Sequence, residues 1–204
     1  MSDPEQRDDG WVRLDVEQPI WHHFFTVAPL VLIGTREEDG APDLAPTHMV
    51  TPLSWENWVG FVCSPRHGTY HNAQRDGSFT MSWLRPEQIL EASLAAAPRE
   101  EDASKPALAA LPTLPASQVP GVLVAGAYLH LECALDRVVD GFGDNSLMVG
   151  RIVAAQVHED ALRGEDRDDN SLVHETPLLA YLHPGRFARI DDSQAFPFHA
   201  GFKR

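Results

Sequence analysis

Residues 31–50, VLIGTREEDGAPDLAPTHMV, and residues 58–84, WVGFVCSPRHGTYHNAQRDGSFTMSWL, decide the fold. The run that starts at Leu30 is apolar and β-branched, and Glu37-Glu38-Asp39-Gly40 after it is a hairpin turn signal. The next segment, 41–50, is a weaker strand by propensity because it holds Pro42 and Pro46. Prolines confine a strand to a sheet edge or a bulge, where a ligand can reach the backbone. A third strand falls at 57–63 and a fourth at 77–84, and the segment between them reads as a short helix stopped by Gly77. This order sets Thr69, Asn72 and the unpaired backbone N–H groups of a helix start beside a β-sheet.

The pattern continues on both sides. Residues 19–27, PIWHHFFTV, read as a short helix or turn leading into the first strand, and 86–97, PEQILEASLAAA, as a helix bounded by Pro86 and Pro98. Composition then shifts. Pro98, Pro106, Pro112, Pro115 and Pro120 lie amid Ala and Leu, which describes a long excursion over the surface or against a partner subunit. Two long strands follow at 126–140 and 145–160, joined by a hairpin turn at Gly143-Asp144-Asn145. Residues 163–170, RGEDRDDN, read as a charged, solvated loop, and 185–190, GRFARI, as a last short strand. The fold class that emerges is mainly β, an antiparallel barrel with a few short peripheral helices. Residues 1–18 read as a mobile tail and 19–204 as a single domain.

Thirty acidic residues against sixteen basic ones give a net charge of -14, which opposes contact with nucleic acid and anionic membranes over most of the surface. A small anion remains possible, because a few amides and one or two cations define a local site. Only two cysteines are present, too few for a disulfide scaffold, and the sequence contains neither a signal-peptide pattern nor a spanning apolar run. A soluble cytoplasmic protein is expected.

Several motifs have plain structural readings. Cys63, His67 and His71 have the spacing of a metal cluster, but Pro65 and Gly68 break the helix that would align them, so no metal site is expected. Thr69 and Asn72 have an alternative as a helix-capping pair. Residues 141–146, GFGDNS, lack the third glycine and following helix of a dinucleotide fingerprint.

The ordered succession of segments resembles the flavin reductase-like family of FMN-binding split barrels. In that family a strand reading roughly N-x-A-P-x-S-x-F lies along the flavin, and a T-x-x-N helix start holds the phosphate. Here Asp43, Ala45, Pro46, Thr47, His48, Met49 and Val50 stand on the first motif, and Thr69-Tyr70-His71-Asn72 on the second. Further matches at 79–84, 130–133, 147–153 and 177–187 extend the likeness over roughly residues 25–190. The resemblance implies FMN as cofactor, held by Pro46, Thr47, His48, Met49, Val50, Ser64, Arg66, Thr69, Tyr70 and Asn72. Thr69 and Asn72 would be phosphate donors and Arg66 the counter-charge. The sequence departs from the family at Asp43, where Asn is usual, and at His48, where Ser is frequent. A carboxylate at 43 removes an amide donor and adds repulsion near a phosphate, and an imidazole at 48 could tune the flavin.

The function implied is an NAD(P)H-dependent flavin reductase, a homodimer that passes electrons from NADH or NADPH to a flavin or small-molecule acceptor. No catalytic residue of its own is required, because the flavin does the redox chemistry. Two alternatives stay open: an FMN-binding electron carrier resembling flavoredoxins, and a non-enzymatic barrel that has lost its flavin.

Overall fold

A computed structural model describes residues 10–101 and 104–201, so the first half of the expected N-terminal tail lies outside the described residues. Chain order runs β1 (Thr26–Pro29), β2 (Val31–Arg36), β3 (Pro42–Thr47), β4 (Val50–Pro52), β5 (Trp58–Cys63), α1 (Gly68–Asp76) and β6 (Ser78–Trp83). It continues through α2 (Ile89–Ala95), β7 (Thr113–Pro115), β8 (Val122–Val124), β9 (Leu129–Phe142), β10 (Asn145–Val157), α3 (Asp169–Glu175), β11 (Leu178–His183) and β12 (Arg186–Ile190).

Seven strands form one antiparallel sheet in the order β3-β2-β6-β9-β10-β5-β4. Its two edge strands, β3 and β4, are separated in sequence only by His48 and Met49. Two residues span a short distance, so the sheet has to curl until its edges nearly meet, which makes a barrel split between β3 and β4. The fold class expected from the sequence is the one observed. Val31, Ile33, Phe61, Phe79, Met81 and Met148 come from four strands, β2, β5, β6 and β10, and fill the concave interior. Leu30, Leu32 and Leu44 point the other way, toward Ala92 and Ala95 of α2 and Val122 and Val124 of β8.

The prolines of β3 obey edge logic. Lys105 Nζ donates to Leu44 O at 2.8 Å, so residue 44 turns its backbone away from β2. By alternation Pro42 and Pro46 turn outward too, and their missing amides remove no ladder bond. On the face shared with Leu32, Gly34 of β2 allows the close approach of β8, since a Cβ there would overlap Val122 O.

Three local expectations need adjustment. The helix expected over 86–97 opens as a 3₁₀ turn, Pro86–Gln88, and its α-helical part ends at Ala95. The excursion at 98–121 is not wholly a surface run: Leu108 and Leu111 are buried in the outer core, and β7 pairs with β8. Glu132 of β9 tethers it, accepting N–H bonds from Ser117, Gln118 and Val119 at 2.6 to 3.1 Å. The charged loop ends early because Asp168 accepts from Ser171 N at 2.8 Å and caps α3. A separate sheet, β1-β11-β12, packs Tyr181 against the outer core. No helix among the described residues is long and apolar enough to cross a membrane.

Candidate functional site

The sequence-predicted residues gather at the two ends of β3. At one end, β5 delivers Ser64 and Arg66 to the start of α1, which closes on Gly77 in the left-handed conformation with its N–H on Ala73 O. Thr69 and Asn72 are both buried here, and both are engaged within the protein. Thr69 Oγ1 donates to Asp43 Oδ2 at 3.0 Å, and Thr35 Oγ1 donates to the same oxygen at 3.1 Å. Asn72 Nδ2 reaches Thr35 Oγ1 at 3.4 Å, while Asn72 Oδ1 accepts from Arg75 Nη1 at 3.0 Å. Tyr70 packs into the barrel interior. Arg66 stays on the surface beside Asp144 at 2.9 Å, each side chain about three-quarters exposed (75% and 73%).

Asp43 is the centre of this end. A carboxylate only 1% exposed needs a counter-charge, and Arg99 supplies it, with Nη2 at 2.9 Å from Oδ1. The same nitrogen contacts Glu37 Oε1 at 2.5 Å. Arg99 also lies against the first residue of α1, where a Cβ on Gly68 would fall 2.7 Å from Nη2. A cation at a helix N-terminus opposes the macrodipole, and the two carboxylates offset it. Lys105 approaches from the same excursion, and burial holds its ammonium below the usual lysine range. Cys63, beneath α1, has its thiol pushed up to about 11, first by burial and then by the charge of Asp43, which makes it inert at neutral pH. Sequence reasoning missed Arg99, Lys105 and Thr35, because none lies in a motif and the excursion's path is set by tertiary contacts.

The other end of β3 is apolar. Pro46, Thr47 and His48 border a cleft of about 380 Å³ between α2 and the β11–β12 hairpin. Ile89, Ala92 and Ala96 form one wall and Tyr181 and Phe187 the other. His48 stacks on Tyr181 with centroids 4.7 Å apart and on His183 at 5.1 Å. Burial, and then the neighbouring His183, hold the His48 imidazole below its ordinary value, so it is neutral at pH 7. Nδ1 of His183 is buried with no hydrogen-bond partner. Met49 and Val50 lie at the split itself, where Met49 O accepts from Val62 N at 2.9 Å and the Met49 side chain is exposed. Tyr181, His183 and Phe187 are further residues that sequence reasoning did not assign. Their signal was present only as the match at 177–187.

The edge strand β3 thus runs from a helix start bordered by Arg99 to an aromatic cleft, and this stretch is the candidate site. Residues 24–190 match the model of the flavin reductase like domain, and the chain belongs to that family of flavin-linked oxidoreductases. Solved structures share the fold. Flavoredoxin from Methanosarcina acetivorans superposes with a TM-score of 0.75 at 16% identity, covering 94% of this chain and 97% of its own. An FMN-binding protein from Thermus thermophilus, solved with bound 1-cyclohex-2-enone, gives 0.73 at 22% identity, covering 91% and 98%. The Streptomyces globisporus NADH:FAD oxidoreductase gives 0.65 at 17% identity, covering 81% and 87%.

The residues present fit a flavin: cations, hydroxyls and a helix start converge at one end of β3, and its outward edge leads from there to His48 at the other.

Proposed function

We propose that the protein is an FMN-binding oxidoreductase of the NAD(P)H-dependent flavin reductase type. The observation that carries this reading is the edge position of β3, whose outward backbone, bonded to Lys105 at Leu44 O, connects the α1 end to the His48 end. In this reading the phosphate sits by the start of α1, near Ser64 and Arg66, with Thr69 and Asn72 behind it. The exposed Arg66–Asp144 pair opens at little cost, since such pairs contribute about 0–1 kcal/mol. Arg99 neutralises Asp43, which removes the repulsion expected from a carboxylate near a phosphate. Pro46, Thr47, His48, Met49 and Val50 border the ring.

Bound flavin supplies the redox chemistry. The chain's own contribution is to bind, orient and exclude water. Neutral His48 offers a donor or an acceptor without adding charge, and the aromatic cleft keeps bulk water from one side.

A homodimer belongs to the same reading. Trp21, Phe25 and Val27, close together in sequence, are 59 to 70% exposed and would be covered by a partner subunit. A stable interface buries on the order of 1,200–2,000 Å². Both cysteines are free and buried, consistent with the reducing cytoplasm.

The test is the visible spectrum of the purified protein with identification of the released cofactor, followed by anaerobic mixing with NADH and with NADPH. FMN bands that bleach with a nucleotide are expected. Bands that neither nucleotide bleaches indicate an electron carrier, and no flavin uptake from added FMN refutes the cofactor assignment.

A further inference from the structure

Arg186 lines the cleft between α2 and the β11–β12 hairpin, and it makes no ion pair among the described residues. With 30 acidic side chains against 16 basic ones, most arginines are already paired, including Arg66, Arg75, Arg85, Arg99, Arg163 and Arg189. An unpaired guanidinium next to an apolar, aromatic recess is a recognition element for an anion that carries a ring.

We propose that this cleft is the site of a second substrate and takes a planar aromatic monocarboxylate. The proposal rests on the flavin reading for its role as a substrate site and on the cleft alone for the ligand class. Three observations select that class. Phe187 and Tyr181 present π-faces, and His48 continues the stack, which favours a flat ring over an aliphatic one. The facing wall, Ile89, Ala92, Ser93 and Ala96, is uncharged and mostly apolar and offers no second cation. One guanidinium matches one carboxylate bidentately, while a dianionic phosphate in a protein of net charge -14 would keep an uncompensated charge. A volume of about 380 Å³ lies within the range of small-ligand sites and accommodates a single substituted ring system.

The experiment titrates benzoate, benzamide and cyclohexanecarboxylate into the full-length protein, with its flavin content measured in each sample, using ligand-detected NMR. Saturable benzoate binding is expected, with benzamide and cyclohexanecarboxylate each weaker. Arg186→Gln should weaken benzoate roughly tenfold, the size of one charge-assisted hydrogen bond at an open site, and leave benzamide unchanged. Phe187→Ala should weaken both aromatic probes. Absence of saturable benzoate binding, or equal affinity in wild type and Arg186→Gln, overturns the proposal. So does displacement of bound FMN by benzoate, because the cleft is then the seat of the flavin ring itself. Arg186-dependent benzoate binding in a protein that takes up no FMN supports the ligand class while refuting the flavin reading. Normal FMN uptake without benzoate binding does the reverse.

Discussion

The two ends of β3 solve opposite problems. At the α1 end a buried carboxylate is fully compensated: Asp43 has two hydroxyl donors and a guanidinium, and almost every polar atom near it is already engaged. At the His48 end the surfaces are apolar and half-open, a ring nitrogen of His183 is orphaned, and Arg186 is unpaired. The first arrangement has its hydrogen-bonding capacity taken up within the protein. The second has unsatisfied capacity, which suits it to discriminating ligands, whereas the compensated end is suited to anchoring.

The strongest way to break this comparison is to remove the compensation. Arg99→Ala should leave Asp43 buried without its cation and cost about 3 kcal/mol in urea unfolding, within the range for breaking a buried pair. Adding Asp43→Asn should recover much of that loss. An Arg99→Ala protein as stable as wild type would mean that the α1 end is not held by charge.

A control of intermediate size lies away from both ends. Burial alone would raise the Glu132 carboxyl, but three backbone N–H bonds and the Ser117 hydroxyl outweigh it and hold it below its ordinary value of 4.5. Its folded value is depressed, so its contribution is fully present above about pH 4.5 and is lost as pH falls through the lowered value. Glu132→Gln should therefore destabilise by about 2 kcal/mol at pH 7 and flatten the acid limb of the stability curve. Parallel acid limbs in wild type and variant would contradict the tether.

The smallest effect sharpens the aromatic end. His48 should titrate below 6.5 by NMR, because burial and then His183 disfavour its charged form. His183→Asn should return the value part of the way, leaving the burial component. Any contribution of neutral His48 to stability is present above pH 6.5 and lost as pH falls through the lowered value. If His48 touches the flavin, the extra pH dependence of the midpoint potential should appear in that lower window and vanish in His48→Ser.

Much of the barrel was legible because its signals are local. The Asp39-Gly40 turn, the Gly77 helix stop, the 143–145 hairpin and the edge placement of the proline-bearing β3 all follow from backbone rules that act within a few residues. The spacing of the strand and helix-start segments named a candidate site, and the structure brings those segments to the two ends of β3. What stayed hidden is long-range. Nothing near Asp43 in sequence announces Arg99, 56 residues away, or Thr35 and Thr69 on different elements. The stack of His48 on Tyr181 and His183 depends on β11 pairing with β1 rather than with the main sheet. The helix α3 escaped because its charged residues mask a cap at Asp168.

The most direct test of the central claim, that the two ends of β3 serve one cofactor, is the ratio of FMN to riboflavin affinity in the wild-type protein. Riboflavin has the ring and the ribityl chain but no phosphate, so it can use only the His48 end. With a phosphate anchored at the α1 end, FMN should bind at least about tenfold more tightly, the worth of one charge-assisted contact. Arg66→Gln, which removes the exposed cation near the start of α1 and leaves the Asp43 network intact, should lower that ratio by weakening FMN alone. Equal affinities for FMN and riboflavin in wild type would contradict the account.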